Sequence, residues 1–465
     1  MTVGIARIGG IAATIVIAWW VSGRMGRTRP TSGWRILQSG PIRILATALA
    51  LTLLVGLAVD GSGDMTVLNS ARNAFAGGGI DSWFFMDLAA RRLHDAPHQP
   101  LYREIFFHQA WKFQYPITSL LGWNELRTFF GGSLERIAHF LNAVCFHWIA
   151  ITGLMSAILL RGAWTRVHGE DPRETRIATF VFLVGGILQA FLFYPLTRSW
   201  WLGQIQTTLS MLAIGSLLAW QHDHKKLAGI LVGLACLFKP QWGIALLWGL
   251  VFREWQFAVG GLVVCAIAGG AAGALFGFGH YIEYLPVLSA LSHHGESAME
   301  NQSMNGLMNR LLNGGALNFQ MHSFPPFNPI VYWTTLVSGI LMVGTIFLWG
   351  RKRLRTETEL AVVLLVLTIA SPIAWEHHYG VLLGILPALV PGVLEARPLE
   401  RATPYLVGIL WIFVDQNFPW LVRFADSRIL SALLSPLFFG ALGFLGLALA
   451  IPKALSRPKT SELAR

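Results

Sequence analysis

Two adjacent histidines and a glutamate interrupt one of the most apolar regions of the chain. The stretch "SPIAWEHHYG" separates "ELAVVLLVLTIA" from "VLLGILPALV", two runs whose composition suits a lipid environment. An imidazole donates a hydrogen bond or a proton to an anion near neutral pH, so His377 and His378 are candidate site residues. The alternative is a structural pair that hydrogen-bonds to the backbone where two helices break.

A second candidate, Asp81, lies just after three glycines in "GGGIDSWFFMDLAARRL". Glycines permit a tight turn before a helix, and an aspartate at a helix start is a common N-cap. The same carboxylate can also accept a proton, so both roles are open. Apolar and charged residues alternate over 82–93, which predicts a helix lying on the membrane interface. Asp87 is the reserve candidate for the carboxylate that accepts a proton, and Asp64 is a distant third.

The composition indicates the elements that must position these residues. The 465 residues are 54% hydrophobic and only 13% charged, whereas soluble proteins carry roughly 25% charge. The net charge of +11 is typical of basic cytoplasmic loops in a membrane protein, so no nucleic-acid partner is expected. The cysteines Cys145, Cys236 and Cys265 lie in apolar runs, which favours small core residues over disulfides or a zinc site.

A membrane-spanning helix needs about 20 mostly apolar residues. The chain is therefore predicted to be an all-α polytopic membrane protein, with residues 1–465 in one integral membrane domain of about 11–13 transmembrane helices. The predicted spans are residues 4–22, 42–59, 134–160, 178–194, 204–221, 256–278, 328–350, 359–372, 379–394, 403–416 and 429–451. The first is expected to be a retained helix, with a signal peptide as the alternative. In segment 227–252, "CLFKPQWG" predicts a hairpin of two short helices with Lys239 and Pro240 at its tip.

The positions of the basic residues predict the orientation of these spans. If the spans alternate, the clusters fall on one side, which is then cytoplasmic; they are Arg24, Arg27, Arg29, Arg35, Arg161, Arg166, Arg173, Arg176, Lys225, Lys226, Arg351 to Arg355, Lys453, Arg457 and Lys459. Loops 60–133 and 279–327 and the histidine stretch then face the extracytoplasmic side of a bacterial inner membrane, with short interfacial helices in the loops. The second loop contains Asn301, Gln302 and Arg310, whose amides and guanidinium suit sugar hydroxyls and a phosphate. The alternative is an ordinary solvated loop.

Six short motifs occur in order between residues 60 and 380: "IDSWFFMDLAARRL", "FQYPITSLL", "WLGQIQTTLS", "FKPQWG", "NQSMNGLMNR" and "SPIAWEHHY". In this order they resemble glycosyltransferase family 87, membrane mannosyltransferases of the GT-C superfamily. Two positions depart from the family pattern: Ile117 stands where a second proline is common, and Gln206 stands where asparagine is. These departures concern individual substrate contacts.

The resemblance implies a GT-C fold and a hexosyltransferase that moves a sugar, most often mannose, from a polyprenyl-phosphate donor to a lipid or glycan acceptor. By position in the motifs, it implies catalytic roles for Asp81, His377 and His378. It implies substrate binding by Tyr115, Gln204, Lys239, Asn301, Gln302, Arg310, Trp375 and Glu376. In this interpretation Asp81 is the base of an inverting reaction, and Lys239 and Arg310 offset phosphate charge. Alternatively, Lys239 extends to water, Arg310 pairs with a loop carboxylate, and Glu376 is a solvated carboxylate.

The sequence contains neither a nucleotide-phosphate loop nor a DxD-type motif, so a nucleotide-sugar donor, an obligatory metal and a cofactor are not expected. Besides the sugar donor and the acceptor, the expected partners are membrane lipids. A multi-pass transporter or flippase of lipid-linked sugar is the main alternative, because transporters place polar residues near broken helices. An inactive relative that binds such a lipid without transfer is the third.

Overall fold

The computed structural model describes residues 2–25, 39–59, 78–96, 99–170, 175–312, 320–349 and 356–452. These residues form α-helices joined by short 3₁₀ segments, one π-helical turn and irregular connections. Among them, β-type pairing is limited to an isolated bridge between Asn301 and Trp375. The predicted all-α membrane fold is confirmed. Asp64 and several basic clusters, including 351–355, lie outside the described residues.

The helices of the described residues follow the predicted spans closely. They are α1 Thr2–Met25, α2 Gly40–Val59, α3 Asp81–Asp95, α4 Trp123–Phe129, α5 Leu134–His168, α6 Arg176–Leu192, α7 Tyr194–Leu202, α8 Gln206–Gln221, α9 Lys225–Cys236, α10 Gly243–Val251, α11 Trp255–Phe276, α12 Gly279–His294, α13 Met304–Leu312, α14 Pro329–Trp349, α15 Glu357–Ile369, α16 Leu382–Ala396, α17 Thr403–Asp415 and α18 Pro436–Leu449.

Four segments of the described chain are long and apolar enough to cross a bilayer unaided: α5, α11, α14 and Glu376–Ala396, which joins a 3₁₀ turn to α16. The pair α6 and α7 is bent by 57° and makes a fifth when counted as one span. The helices found at several other predicted spans are shorter than the bilayer core requires. Helix α8 has 16 residues, and α15 and α17 have 13 each.

The long helix α5 is the centre of the bundle and packs on α6, α8 and α16. Gly153 of α5 meets Gly186 of α6 so closely that a Cβ on Gly153 would lie 2.4 Å from the Gly186 carbonyl oxygen. Small residues allow such close helix contact within membranes. Because α5 has 35 residues, it also connects the two ends of the bundle.

The predicted hairpin in 227–252 is confirmed. Helix α9 ends at Cys236, Pro240–Trp242 forms one 3₁₀ turn, and α10 returns. Proline lacks the amide hydrogen that a continuous helix would need, which explains the break. Lys239 therefore lies at the turn, as expected.

Helix α3 is present as predicted, but its apolar face lies against protein instead of lipid. Trp83 is 2% exposed and donates its indole N–H to Asn142 of α5 over 2.8 Å. The ring of Trp83 also stacks on that of Trp123. These contacts fix the start of α3, where Asp81 lies, to the centre of the bundle.

Candidate functional site

Two glycine turns bring Asp81 to a segment about 120 residues further along the chain. The amide of Gly79 donates to the Trp201 carbonyl over 2.7 Å, and the amide of Ser82 donates to the Gly203 carbonyl over 3.1 Å. Gly203 has a φ of 74°, and a Cβ there would lie 2.1 Å from the Gly79 carbonyl oxygen. Glycine is therefore required where the turns meet.

The carboxylate of Asp81 accepts a hydrogen bond from the Gln204 side chain. The Gln204 carbonyl oxygen in turn accepts from Ser82 over 2.7 Å and from Tyr115 over 3.3 Å. Burial raises the pKa of Asp81, while the Gln204 hydrogen bond and the positive charge of Arg198 oppose that rise. Once ionised, a carboxylate in this setting is a stronger base than an exposed one.

Asp81 is not the N-cap of α3. Ile80 occupies that position and Asp81 is the first helical residue, so its side chain faces Gln204 instead of capping the helix. The reserve candidate Asp87 is 2% exposed, forms an ion pair with Arg91 at 2.5 Å and accepts from the Trp123 indole at 3.2 Å. Asp87 thus stabilises the fold around α3.

Asp81 lines a cavity of about 830 Å³, which we call the Asp81 cavity. Its polar wall includes Asp81, Lys112, Gln114, Tyr115, Arg198, Gln204, Lys239, Gln241, Glu300, Trp375, Glu376, His377 and His378. Its apolar wall includes Phe238, Ile244, Leu288, Leu291, Leu336, Ile340, Val343, Phe347 and Leu367. One concave site thus combines carboxylates, basic side chains and an apolar surface, the pattern expected of a ligand site.

The histidine stretch forms a 3₁₀ turn, Glu376–Val381, that is anchored from two sides. Tyr379 donates its hydroxyl hydrogen to the Gln302 carbonyl, and the Glu376 amide donates to the Glu300 carbonyl over 2.8 Å. The rings of His377 and His378 meet edge to face at 4.8 Å. His377 is 4% exposed, and its Nδ1 has no hydrogen-bond partner among the described residues.

Three of the predicted substrate-binding residues lie outside the cavity wall. Asn301 accepts from the Ala374 amide at 3.0 Å, and Gln302 donates to the Leu434 carbonyl at 2.8 Å. Arg310 is 2% exposed and donates to the Ala298 carbonyl at 2.9 Å. The guanidinium of Arg310 donates to loop carbonyls and to the Ser435 hydroxyl, and the phosphate contact predicted for it stays a prediction. These residues support the loop that anchors the histidine turn.

Sequence reasoning missed Arg198, Lys112 and Glu300, which all line the cavity. The Nε of Arg198 donates to Glu376 over 2.7 Å, and Lys112 pairs with the buried Glu296. Burial raises the pKa of Glu296 to about 7 and also raises that of Glu300. The usable signal was the position of Arg198 inside the apolar run "FYPLTRSWWL", since an arginine there needs a partner or a ligand.

Lys239 is the cavity cation whose side chain forms neither an ion pair nor a hydrogen bond with any described residue. It is half-buried and lies close enough to His377 and His378 to interact electrostatically with both imidazoles. Burial lowers the pKa of Lys239; an anion bound beside it would favour the protonated ammonium, which in turn attracts the anion. The expected contribution of Lys239 to phosphate binding fits this placement.

The hydrogen bond from Gln204 gives a pH-dependent prediction. Replacing Gln204 with methionine removes a donor that favours the ionised Asp81, so the pKa of Asp81 should rise and the acid limb of the pH–rate profile should move to higher pH. Turnover at neutral pH should fall about tenfold, the lower range for a hydrogen bond to a charged group. The profile of Gln241→Met, another cavity glutamine, is the control. An unchanged acid limb in Gln204→Met would mean that Asp81 is not the group whose ionisation sets that limb.

Comparison with known proteins connects this geometry to a family. The profile of glycosyltransferase family 87 matches residues 113–372, more than half of the chain. That range includes Tyr115, Gln204 and Lys239, whereas Asp81 and His377 lie outside it.

Two curated relatives are each named polyprenol-phosphate-mannose-dependent alpha-(1-2)-phosphatidylinositol pentamannoside mannosyltransferase. One, from Mycobacterium tuberculosis (strain CDC 1551 / Oshkosh), is 27% identical over 238 residues, 50% of this chain and 51% of the relative. The other, from Mycolicibacterium smegmatis (strain ATCC 700084 / mc(2)155), is 28% identical over 244 residues, 50% of this chain and 54% of the relative. The chain thus spans about half the length of these relatives. No solved structure matches the chain significantly. By the extent of the profile match, the chain belongs to glycosyltransferase family 87.

Proposed function

We propose that this protein transfers a hexose, most favourably mannose, from a polyprenyl-phosphate donor to a lipid or glycan acceptor. The observation that carries the proposal is the composition of the Asp81 cavity. It unites the half-buried Asp81 carboxylate, the amine of Lys239 and the histidine pair with an apolar wall along α14. A sugar, its phosphate and a polyprenyl chain need these three environments together. The names of the two relatives support the same donor class.

The apolar wall runs along one face of α14. Leu336, Ile340, Val343 and Phe347 recur at helical spacing and line the cavity. From Leu336 to Phe347 this face extends roughly 16 Å along the helix axis. We infer that it receives the first isoprene units of the donor, with the phosphate near Lys239 and the histidine turn.

Gly344 offers a direct test of the chain groove. A Cβ at Gly344 would meet no atom within 4 Å, so Gly344→Leu should fold normally and place its side chain in the groove. We expect at least a tenfold higher KM for the polyprenyl donor. The leucine side chain would exclude part of the isoprene chain, and each methylene group that is no longer buried costs about 0.8 kcal/mol. Turnover at saturating donor should change less.

Gly270→Leu is the matched control, since Gly270 lies on α11, does not line the cavity and also has no neighbour within 4 Å of a built Cβ. Steady-state kinetics with donors of different chain length would check the result. An equal KM for wild type and Gly344→Leu would place the chain elsewhere.

The chemistry that we infer is an inverting displacement. Asp81 removes the proton of an acceptor hydroxyl, and that oxygen attacks the anomeric carbon from the face opposite the phosphate. The bond between the anomeric carbon and the phosphate oxygen breaks, and the polyprenyl phosphate leaves with the electron pair. Lys239 and the imidazole N–H groups stabilise the developing negative charge.

A transfer assay tests the proposal. Purified protein in detergent receives radiolabelled polyprenyl-phosphate mannose and a native lipid extract. We expect the label to move into a new glycolipid, which mild alkali treatment distinguishes from the donor, while polyprenyl phosphate accumulates. Liposomes containing the protein serve as the second arm. Movement of intact donor across the liposome membrane, with no new glycolipid in either arm, would support the flippase alternative and reject the transferase.

We further propose that the Asp81 cavity opens on the extracytoplasmic side, following the distribution of basic residues. Cysteines introduced at Glu125 and His222, both exposed and at opposite ends of the bundle, should react with a membrane-impermeant maleimide from opposite sides. In intact cells we expect labelling at Glu125→Cys only. Labelling of His222→Cys alone would invert the topology.

A further inference from the structure

A second cavity, of about 860 Å³, lies between α2, α5, α6, α16 and α17. We call it the Arg43 cavity. Its lining shares no residue with that of the Asp81 cavity. On α5, Asn142 contacts Gly79 beside Asp81, whereas His168 lines the Arg43 cavity 26 residues later, roughly 39 Å along the helix. The Arg43 cavity therefore opens at the end of the bundle opposite the candidate active site.

Three guanidinium groups surround the mouth of this cavity, those of Arg43, Arg397 and Arg401. All three residues are exposed, and none of their guanidiniums has a hydrogen-bond or ion-pair partner in the described part of the chain. Two carboxylates lie among them. Glu395 contacts His168 at 3.2 Å, and with Glu400 it opposes the three guanidiniums, so these five groups leave a net positive charge at the mouth.

The connection that carries two of these arginines is strained. Arg397 has a φ of 46° and Glu400 a φ of 50°, values that side chains other than glycine rarely adopt and that cost energy. The same connection places Arg397 and Arg401 beside Arg43 of α2. At the mouth, the His168 ring stacks on Trp164 at 3.7 Å, and its buried Nδ1 has no hydrogen-bond partner among the described residues.

Below the charged mouth the walls are mostly apolar, with Thr47, Ser156 and Gln189 as polar exceptions. Leu45, Leu51, Leu160, Leu386 and Val390 line the interior. From Gly40 to Leu51 the cavity follows α2 for about 17 Å, close to the hydrocarbon thickness of one leaflet, roughly 15 Å. A cluster of cations above an apolar slot of this depth complements an anionic amphiphile.

We propose that the Arg43 cavity binds an anionic phospholipid from the leaflet at the end of the bundle opposite the Asp81 cavity. Its phosphodiester lies among Arg43, Arg397 and Arg401, and one acyl chain fills the slot between α2 and α17. This site is separate from the proposed transfer reaction and does not depend on it.

Native mass spectrometry of the delipidated protein in detergent tests the site with two probes, dioleoyl phosphatidylglycerol and dioleoyl phosphatidylcholine. Wild type should bind phosphatidylglycerol in preference. Arg43→Gln combined with Arg401→Gln should weaken phosphatidylglycerol binding about 30-fold, because each basic residue near an anionic lipid contributes about a fivefold factor. Lys226→Gln combined with Arg253→Gln removes two charges at the same end but outside the cavity, and should preserve binding.

A second variant tests the acyl slot without changing charge. Gly408 lines the cavity, and a Cβ there would lie 3.4 Å from Leu51 Cδ1, so Gly408→Phe should fill the slot and abolish tight binding. Gly446→Phe is the matched control, because a Cβ at Gly446 meets no atom within 4 Å. Equal affinity for the two lipids, or equal losses in the arginine variant and its lysine–arginine control, would overturn the proposal. Full binding by a folded Gly408→Phe would do so as well, and if that variant does not fold, the arginine comparison decides.

Discussion

Replacing Asp81 with asparagine is expected to lower turnover by about 10²–10⁴-fold, the usual loss when a positioned general base is removed. Asparagine keeps the shape of the side chain and can still hydrogen-bond with Gln204, so the fold and donor binding should stay nearly unchanged. The measurement is the initial rate of glycolipid formation at saturating donor, together with thermal melting of each variant and the donor dissociation constant.

Two other carboxylates provide controls for this variant. Asp87→Asn breaks the ion pair with Arg91 and should reduce melting temperature while preserving turnover of the folded protein. Glu300→Gln changes another carboxylate on the cavity wall and should have a smaller effect on turnover. If Asp81→Asn keeps near-native activity, Asp81 is not the base. The base is then whichever of Asp87 and Glu300 abolishes turnover when it is replaced.

The second large effect is expected at the histidine turn. Alanine at His377 should lower turnover by about 10²–10³-fold, since loss of one preorganised donor to developing charge typically costs about 3–4 kcal/mol. Neither imidazole forms a hydrogen bond with a described residue, so both single variants are needed; His377, the more buried of the two, is the first. Turnover and melting temperature should be measured for both single variants.

The two readouts separate catalysis from structure. A catalytic role predicts lost turnover with a nearly unchanged melting temperature, whereas a structural pair predicts that stability and activity fall together in both variants. A double variant with native stability and full turnover would remove the pair from the site.

Much of the helical framework could be predicted because apolar length and helix breakers are local properties. The hairpin of α9 and α10 follows directly from Pro240 within an apolar run, and the predicted bounds of α2 and α14 differ from those observed by at most two residues. The orientation of side chains around the site is different, because it depends on contacts between distant segments. The hydrogen bond between Gln204 and Asp81 joins residues 123 positions apart.

The substrate-binding prediction for Asn301, Gln302 and Arg310 shows the limit of reasoning from residue type. Amides and guanidiniums that suit sugar hydroxyls equally suit backbone carbonyls, and in this fold they bind the loop backbone near the histidine turn. Conversely, Arg198 lies in no predicted motif, yet it pairs with Glu376 across 178 positions. Only the packing of α7 on the histidine turn shows that these two residues meet.

The most direct measurement is a structure of the protein with a non-transferable phosphonate analogue of polyprenyl-phosphate mannose bound. The proposed function predicts the phosphonate within hydrogen-bonding distance of Lys239 and His377, the sugar between them and Asp81, and the isoprene chain along α14. Analogue bound in the Arg43 cavity, or with its sugar remote from Asp81 while the protein remains active, would contradict the assignment of the Asp81 cavity as the site of transfer.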